Sequence, residues 1–351
     1  MKKYTHGGDL VSARSCYKGE ILDFSANLNP LGMPEPVLRA AEAAVRDAVH
    51  YPDPLCRSLT AGIARRDGVD PAWVLCGNGA ADIIFRMAFS QPPARALVTA
   101  PTFSEYAGAL EAAGWEIVRH WLSAETDFDL TDSVIETLDG VELAVFCTPN
   151  NPTGRPIHRT LLLNILAHCR KKGIRLVVDE CFLELSDGGE NGGLAGYLEE
   201  YPNLLLLRAF TKSFAIPGLR LGYCLTSDLE LLERLSRCAQ PWSVSAPAQA
   251  AGVAALECPD HPARARAHIA SERPWLTEQL ETLGLRTFPS AANYILFRAD
   301  GIEDLKSRLL KRGILIRSCA DYEGLSSDYY RVAVKLRPDN LRLIQAMKEV
   351  I

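Results

Sequence analysis

The sequence predicts an α/β fold, with a mainly parallel sheet in a large domain and a smaller C-terminal α/β domain after it. Between residues 73 and 238, short apolar strand patterns alternate with helical patterns, as expected of parallel strands joined by covering helices. Pro241–Ser245 interrupts this alternation, and a strand-helix-strand-strand-helix pattern follows in the last third. We therefore predict an N-terminal arm over residues 1–35, a large domain over 36–240 and a small domain over 241–351.

The elements of the large domain follow from apolar spacing. Asp23–Pro34 is dense in Asn, Pro and Gly, which predicts an irregular arm. Apolar residues at helical spacing then predict the helices Pro36–Val49, Cys56–Asp67, Ala80–Phe89, Ser104–Ala113, Thr160–Lys171 and Asp228–Cys238. Short continuous apolar runs predict the strands Trp73–Cys76, Ala96–Ala100, Glu116–Trp121, Leu143–Cys147, Arg175–Val178, Leu204–Phe210 and Leu221–Leu225.

The last third has fewer elements. The predicted helices are Ser245–Leu256, Ala263–Leu283, Ile302–Arg312 and Pro338–Ile351. The predicted strands are Asn293–Phe297, Ile314–Ile316 and Tyr329–Val334.

Composition narrows the class of protein. The 351 residues are 48% hydrophobic and 23% charged, and the net charge of -5 weighs against nucleic acid or an anionic membrane as partner. No apolar run is long enough to span a bilayer, and Met1–Gly8 lacks the apolar core of a signal peptide, so we expect a cytosolic protein. The ten cysteines are scattered and form no Cys-x-x-Cys pair, so we expect free thiols and no metal site.

Lys212 carries the first chemical signal. It ends an apolar strand and is followed by more apolar residues, so the amine is either enclosed or extended to the surface. An enclosed lysine has a lowered pKa and can attack a carbonyl. Asn151 and Asp179 also end buried strands, where each polar group needs a partner, although Asp179 could simply cap a helix. In parallel sheets, ligands bind beyond these strand ends.

Other strand ends offer complementary groups. Gly79, Ala80 and Ala81 open a helix with small residues, so their N–H groups could hold a phosphate, or form only a tight turn. Thr211 and Arg220, on either side of Lys212, are phosphate-binding types. Phe103 could be core or a flat surface for a ring. Together these groups describe pyridoxal 5'-phosphate, which has an aromatic ring, a phosphate, a basic ring nitrogen and an aldehyde.

Three motifs carry a family resemblance. In order they are Asn151-Pro152-Thr153-Gly154, Asp179-Glu180-Cys181-Phe182, and Thr211-Lys212 followed by Gly218-Leu219-Arg220-Leu221-Gly222. Nearly the whole chain resembles the fold-type-I pyridoxal-phosphate enzymes of the aspartate aminotransferase superfamily. The resemblance implies a seven-stranded sheet in the large domain and a homodimer with shared sites.

The resemblance also implies roles for single residues. Lys212 would form a Schiff base with the cofactor, and Asp179 would pair with its ring nitrogen. The remaining implied contacts are Asn151 to the ring hydroxyl, Phe103 stacked on the ring, Gly79–Ala81 with Thr211 and Arg220 on the phosphate, Tyr51 of the partner subunit on the same phosphate, and Arg331 on the substrate carboxylate.

Within the superfamily, the chain resembles the branch of histidinol-phosphate aminotransferases and threonine-phosphate decarboxylases. His6–Gly8, Asp23–Pro34, Pro241–Val244 and Ile314–Ala320 resemble the decarboxylases more closely, and Phe182 stands where aminotransferases of the branch carry Tyr. This implies decarboxylation of L-threonine O-phosphate to aminopropanol phosphate, a cobalamin precursor.

We expect the substrate to contact His6, Asn29, Asn151, Arg317 and Arg331. An aminotransferase of the histidinol-phosphate type stays open as an alternative, as does a non-catalytic regulator domain that binds the cofactor. A nicotinamide dehydrogenase is disfavoured because its glycine fingerprint is missing.

Overall fold

A computed structural model describes residues 6–351. Within them the helices are α1 Leu10–Cys16, α2 Glu35–Arg46, α3 Arg57–Asp67, α4 Ala80–Phe89, α5 Glu105–Ala112, α6 Val134–Thr137, α7 Arg159–Lys172, α8 Phe210–Ser213, α9 Leu229–Arg237, α10 Ala246–Leu256, α11 Asp260–Thr282, α12 Leu305–Leu310 and α13 Arg337–Val350. The strands are β1 Leu22–Asp23, β2 Val74–Gly77, β3 Arg95–Ala100, β4 Glu116–Trp121, β5 Leu143–Cys147, β6 Arg175–Asp179, β7 Leu204–Ala209, β8 Gly222–Leu225, β9 Arg286–Thr287, β10 Tyr294–Arg298, β11 Ile314–Leu315, β12 Arg317–Ser318 and β13 Tyr329–Ala333.

Seven strands form the large sheet, in the order β2-β8-β7-β6-β5-β3-β4. Every neighbouring pair from β7 to β4 is parallel, and β8 alone runs against its two neighbours. The link from β7 to β8 holds the one-turn helix α8 and a 3-10 turn at Pro217–Leu219 but no crossover helix, so β8 returns antiparallel. The predicted seven-stranded, mainly parallel sheet is confirmed.

Helices bury both faces of this sheet. Every residue of β5 and β7 is buried, and apolar side chains pack into a separate core on each face. A strand that is apolar on both sides needs such a double cover, which explains its continuous apolar pattern.

A second, four-stranded antiparallel sheet has the order β12-β13-β10-β9 and its own core with α11, α12 and α13. The chain before α2 is joined to this part, because β1 pairs in parallel with β11 and the N–H of Ala333 donates to the carbonyl of Phe24 at 2.9 Å. Residues 24–34 form no helix or strand, as predicted, whereas α1 and β1 were not predicted.

The domain boundaries stay a prediction. Helix α10, which the sequence assigns to the small domain, packs its buried alanines against α2 and α3. In the described part of the chain, no helix has both the length and the apolar character needed to cross a bilayer.

Candidate active site

A cavity of about 720 Å³ lies at the carboxyl ends of the parallel strands, between the two sheets and the chain before α2. It brings together predicted residues that are far apart in the sequence. Those that line it are His6, Ala80, Ala81, Phe103, Asn151, Asp179, Thr211, Lys212, Arg220, Arg317 and Arg331. The sheet therefore gathers these groups at the edge where its topology places ligands.

Lys212 lies in α8, immediately beyond the end of β7, and its side chain is half-buried at the cavity wall. Burial, together with the nearby positive charges of Arg331 and Arg220, lowers the pKa of Lys212 to about 8. The amine also lies 5.7 Å from the centre of the Phe182 ring, which offers it no hydrogen-bond acceptor. Near neutral pH the site therefore holds an appreciable fraction of the neutral, nucleophilic amine.

Asp179 is the last residue of β6, and it is buried. Its Oδ1 accepts a hydrogen bond from the Cys181 N–H at 2.8 Å, and its Oδ2 accepts one from the Tyr106 hydroxyl at 2.5 Å. Burial raises the pKa of this carboxyl, while the two hydrogen bonds act in the opposite direction. Both carboxylate oxygens are thus held in place near Lys212. A carboxylate in this position could pair with the basic ring nitrogen of a bound cofactor.

Tyr106 was missed at the sequence level. Its ring meets Phe103 edge to face at 5.5 Å, so one side chain supports both the predicted stacking ring and the carboxylate. Burial and the neighbouring Asp179 raise the pKa of Tyr106, so the hydroxyl remains a hydrogen-bond donor. The available signal was an aromatic residue in the first turn of the helix that follows Phe103.

The predicted phosphate site lies at the start of α4. Gly79 has φ +83°, and a Cβ there would lie 2.5 Å from Nη2 of Arg220. The missing side chain lets the guanidinium approach the first turn of α4, whose N–H groups have no acceptor within the helix. Ala80 and Ala81 contribute this turn, and Thr211 lines the cavity beside it. The arrangement is a cationic cradle for a phosphate.

Two buried arginines form the opposite side of the cavity. Arg317 on β12 and Arg331 on β13 are direct partners in the antiparallel ladder. Arg331 donates to the Asn151 side-chain oxygen and, at 3.0 Å, to the carbonyl of Ser25. Arg317 donates to Asp321 at 2.7 Å. The ladder therefore presents two guanidinium groups side by side.

The asparagines and the histidine before α2 differ in their relation to the cavity. Asn29 does not line the cavity: its Nδ2 donates to the Ser213 carbonyl at 2.7 Å, and its Oδ1 accepts from the Leu31 N–H at 2.8 Å. Asn27 lines the cavity instead, and within residues 6–351 neither polar atom of its buried side chain has a hydrogen-bond partner. His6 lies over the Phe103 ring with its Nε2 2.9 Å from Glu105. Asn29 as a substrate contact stays a prediction, and Asn27 is a second candidate for that contact.

Tyr51 lies outside this cavity. Its side chain is 79% exposed and stacks on Trp242, with ring centres 4.3 Å apart. A contact with the cofactor phosphate, as the sequence resemblance implies, requires a second copy of the chain.

The donor set fits pyridoxal 5'-phosphate: an amine of lowered pKa, a fixed carboxylate, an aromatic face and a phosphate cradle converge on one cavity.

Comparisons with known proteins show the family of this chain. The family model for aminotransferase class I and II matches residues 19–346. A threonine-phosphate decarboxylase of Salmonella typhimurium is 40% identical, over 99% of this chain and 96% of that protein. A histidinol-phosphate aminotransferase of Symbiobacterium thermophilum is 32% identical, over 100% and 96%. The solved histidinol-phosphate aminotransferase of Clostridium acetobutylicum superposes with a TM-score of 0.87 at 29% identity, over 94% of this chain and 99% of that one. The chain therefore belongs to the family of class I and II aminotransferases, the pyridoxal-phosphate enzymes that its motifs resemble.

Proposed function

We propose that this protein is a pyridoxal-phosphate-dependent decarboxylase that converts L-threonine O-phosphate to aminopropanol phosphate for cobalamin synthesis. The observation that carries the proposal is the pairing of Arg317 with Arg331 across one ladder at the cavity wall. Two adjacent guanidinium groups suit a substrate with two anionic groups, here a carboxylate and a phosphate. The 40% identity to a threonine-phosphate decarboxylase supports the same choice.

Each substrate group has a partner in the cavity. Arg331 and Asn151 bind the carboxylate, and they already lie in contact with each other. Arg317, next to Arg331, binds the phosphate together with His6 and Asn27. By holding the substrate at both its carboxylate and its phosphate, these residues would fix the rotation about its Cα bonds and so decide which of those bonds is presented for cleavage.

Two side chains of the protein, Asp179 and Lys212, would hold and transfer the protons that the reaction requires. When bound, the cofactor supplies an electron sink for the bond that breaks at Cα. Asp179, held by Tyr106 and Cys181, keeps a proton on the ring nitrogen. Lys212 delivers a proton to Cα in place of the departing carbon dioxide, a transfer suited to an amine with a pKa of about 8.

An aminotransferase of the histidinol-phosphate type is the second candidate. An oxo-acid acceptor such as 2-oxoglutarate also has two anionic groups, so the arginine pair alone does not exclude it. Phe182 weighs against it, because the aminotransferases of this branch carry a Tyr whose hydroxyl bonds the cofactor ring oxygen. The buried Phe182 ring packs edge to face on Tyr294 at 5.1 Å and offers no such hydroxyl.

The test is purified holoenzyme with O-phospho-L-threonine and no oxo acid. We expect release of carbon dioxide and aminopropanol phosphate, and a loss of about 10²–10⁴-fold in rate or more in Lys212→Ala, which lacks the proton donor. Amino transfer to 2-oxoglutarate without carbon dioxide release would contradict the decarboxylase. Bound cofactor with neither reaction would favour the regulator domain.

We further propose a homodimer. Val45, Val49, Tyr51 and Leu55 expose large apolar side chains along one segment, and Trp242 adds a fifth against Tyr51. Monomeric proteins rarely expose apolar patches of this kind. A second subunit that covers them would also bring Tyr51 towards a neighbouring cavity. The cytosolic location expected from the sequence stays a prediction.

A further inference from the structure

We propose that Asp321 determines how tightly the site binds the phosphate end of its substrate, by partly neutralising Arg317. The inference rests on the proposed function, which assigns the phosphate to Arg317. In this role Asp321 lowers the affinity for a phosphorylated ligand, so removing its charge tightens binding.

The contact between the two side chains is specific. Nη2 of Arg317 donates to Oδ2 of Asp321 at 2.7 Å, across four positions of the chain. The Arg317 side chain is only 6% exposed, whereas that of Asp321 is 25% exposed. Arg317 lines the cavity and Asp321 does not. The Asp321 carboxylate therefore accepts a hydrogen bond from one guanidinium nitrogen while lying outside the cavity.

The rest of the guanidinium is available to a ligand. Within residues 6–351, the Arg317 side chain donates no other hydrogen bond. A guanidinium has five N–H donors, so a phosphate can bind while the pair with Asp321 persists. The ligand would then share one positive charge with a carboxylate.

Arg317 has further contacts besides Asp321. Its guanidinium stacks over the Tyr322 ring at 5.2 Å, and its backbone pairs with that of Arg331 in the ladder. Tyr322 is itself held by a hydrogen bond of 3.2 Å to Asn151. Removing the Asp321 charge should thus leave the guanidinium in place and change mainly the electrostatic potential.

The charge balance gives the direction of the effect. A phosphate monoester carries close to two negative charges at neutral pH, whereas a substrate carboxylate carries one. The charge of Asp321 therefore repels a bound phosphate more strongly than a bound carboxylate. Asp321 is partly exposed, and solvent screening keeps its effect moderate. We expect about a tenfold change in affinity for a phosphate, and a much smaller one for ligands without it.

The experiment uses holoenzyme with Asp321→Asn, which keeps the size of the side chain and a hydrogen-bond acceptor for Arg317. Calorimetry with inorganic phosphate and steady-state kinetics with O-phospho-L-threonine are measured side by side. We expect phosphate to bind about tenfold tighter and KM to fall with kcat nearly unchanged. Asp321→Glu, which restores the charge, should return both values towards those of the natural protein.

Two control variants locate the effect. Glu233→Gln removes the same charge from an exposed pair with Arg237 on α9, and it should change neither measurement. Adding Arg317→Ala to Asp321→Asn should abolish the gain in phosphate affinity, because the gain acts through that guanidinium. Melting temperatures of all variants confirm that they are folded.

Unchanged or weaker phosphate binding in Asp321→Asn would overturn the inference, and weaker binding would mean that Asp321 positions Arg317 instead. A natural protein inactive on O-phospho-L-threonine would refute the proposed function, while the calorimetry with inorganic phosphate would still test Asp321.

Discussion

At the scale of the residue, the reactivity of Lys212 comes from its surroundings. Burial and the positive charges of Arg331 and Arg220 lower the pKa of its amine from the ordinary value of a lysine to about 8. Asp179 acts in the opposite direction, so the lysine and the carboxylate that serve one cofactor also influence each other's protonation.

This pKa predicts how apoenzyme takes up pyridoxal 5'-phosphate. Only the neutral amine attacks the aldehyde, and a lowered pKa means that the neutral form increases as pH rises through about 8. The uptake rate, followed by visible absorbance, should rise about tenfold from pH 7 to pH 9 and then level off. Arg331→Gln removes a positive charge and should move the curve to higher pH. A rate that keeps rising beyond pH 10 in the natural protein would contradict the lowered pKa.

Most candidate cofactor residues could be proposed from the sequence because they lie at or shortly after the carboxyl ends of buried strands. Two other features around the cavity, the placement of Asn27 and Asn29 and the contact of Tyr106, have local causes. Asn27 and Asn29 would share one face of a fully extended segment, so the sequence could not separate them. A tight turn, in which the Leu28 N–H donates to the Ala26 carbonyl at 3.0 Å, sends their side chains to different partners. Tyr106 was missed because only its packing shows its hydrogen bond to Asp179.

At the scale of the element, β8 supports the phosphate cradle through its first residue. A Cβ on Gly222 would meet the N of Ala80 and lie 2.7 Å from the carbonyl carbon of Gly79. Both neighbours are backbone atoms that cannot rotate away. The backbone of β8 at Gly222 therefore packs directly against the backbone of Gly79 and Ala80.

The added methyl group in Gly222→Ala should therefore displace the backbone of Gly79 and Ala80 at the start of α4. We expect a loss of about 1–3 kcal/mol in the free energy of unfolding and weaker binding of pyridoxal 5'-phosphate, measured by denaturant titration and by cofactor titration. Gly196→Ala is the matched control, because a Cβ there meets nothing within 4 Å. Equal behaviour of the two variants would refute the close contact.

The elements themselves were largely predictable where local pattern decides them. Glu116–Trp121 and Leu143–Cys147 form strands with the predicted bounds, and Ala80–Phe89 is a helix with the predicted bounds. Strand β1 has two residues and exists because β11, almost three hundred positions later, offers it a partner. Such pairing leaves no periodic signal, which is why the sequence did not reveal it.

At the scale of the whole molecule, the proposed homodimer implies that two chains share each site. The exposed Tyr51 lies outside its own cavity, and the proposed dimer would place it in the partner's. In this arrangement, each site would combine Lys212 of one subunit with Tyr51 of the other.

Subunit mixing tests this arrangement. Tyr51→Ala and Lys212→Ala should each lose most activity alone, since every site then lacks one of the two groups. After denaturation and refolding together, half of the dimers are mixed and one of their two sites is intact, so about a quarter of full activity should return. No recovery, with mixed dimers confirmed by mass spectrometry of tagged subunits, would place both groups on one chain.

The two hydrogen bonds from Asn29 to the turn that holds Lys212 bear on how the substrate preference of the protein can change. Its N–H and its side chain fasten the incoming segment to the carbonyls of Lys212 and Ser213, at 3.0 and 2.7 Å. That segment and the lysine turn therefore behave as one rigid body, and Asn29 is its anchor. Changes on the N-terminal side of the anchor, at His6 or Asn27, can alter which substrate is accepted while the catalytic amine keeps its place.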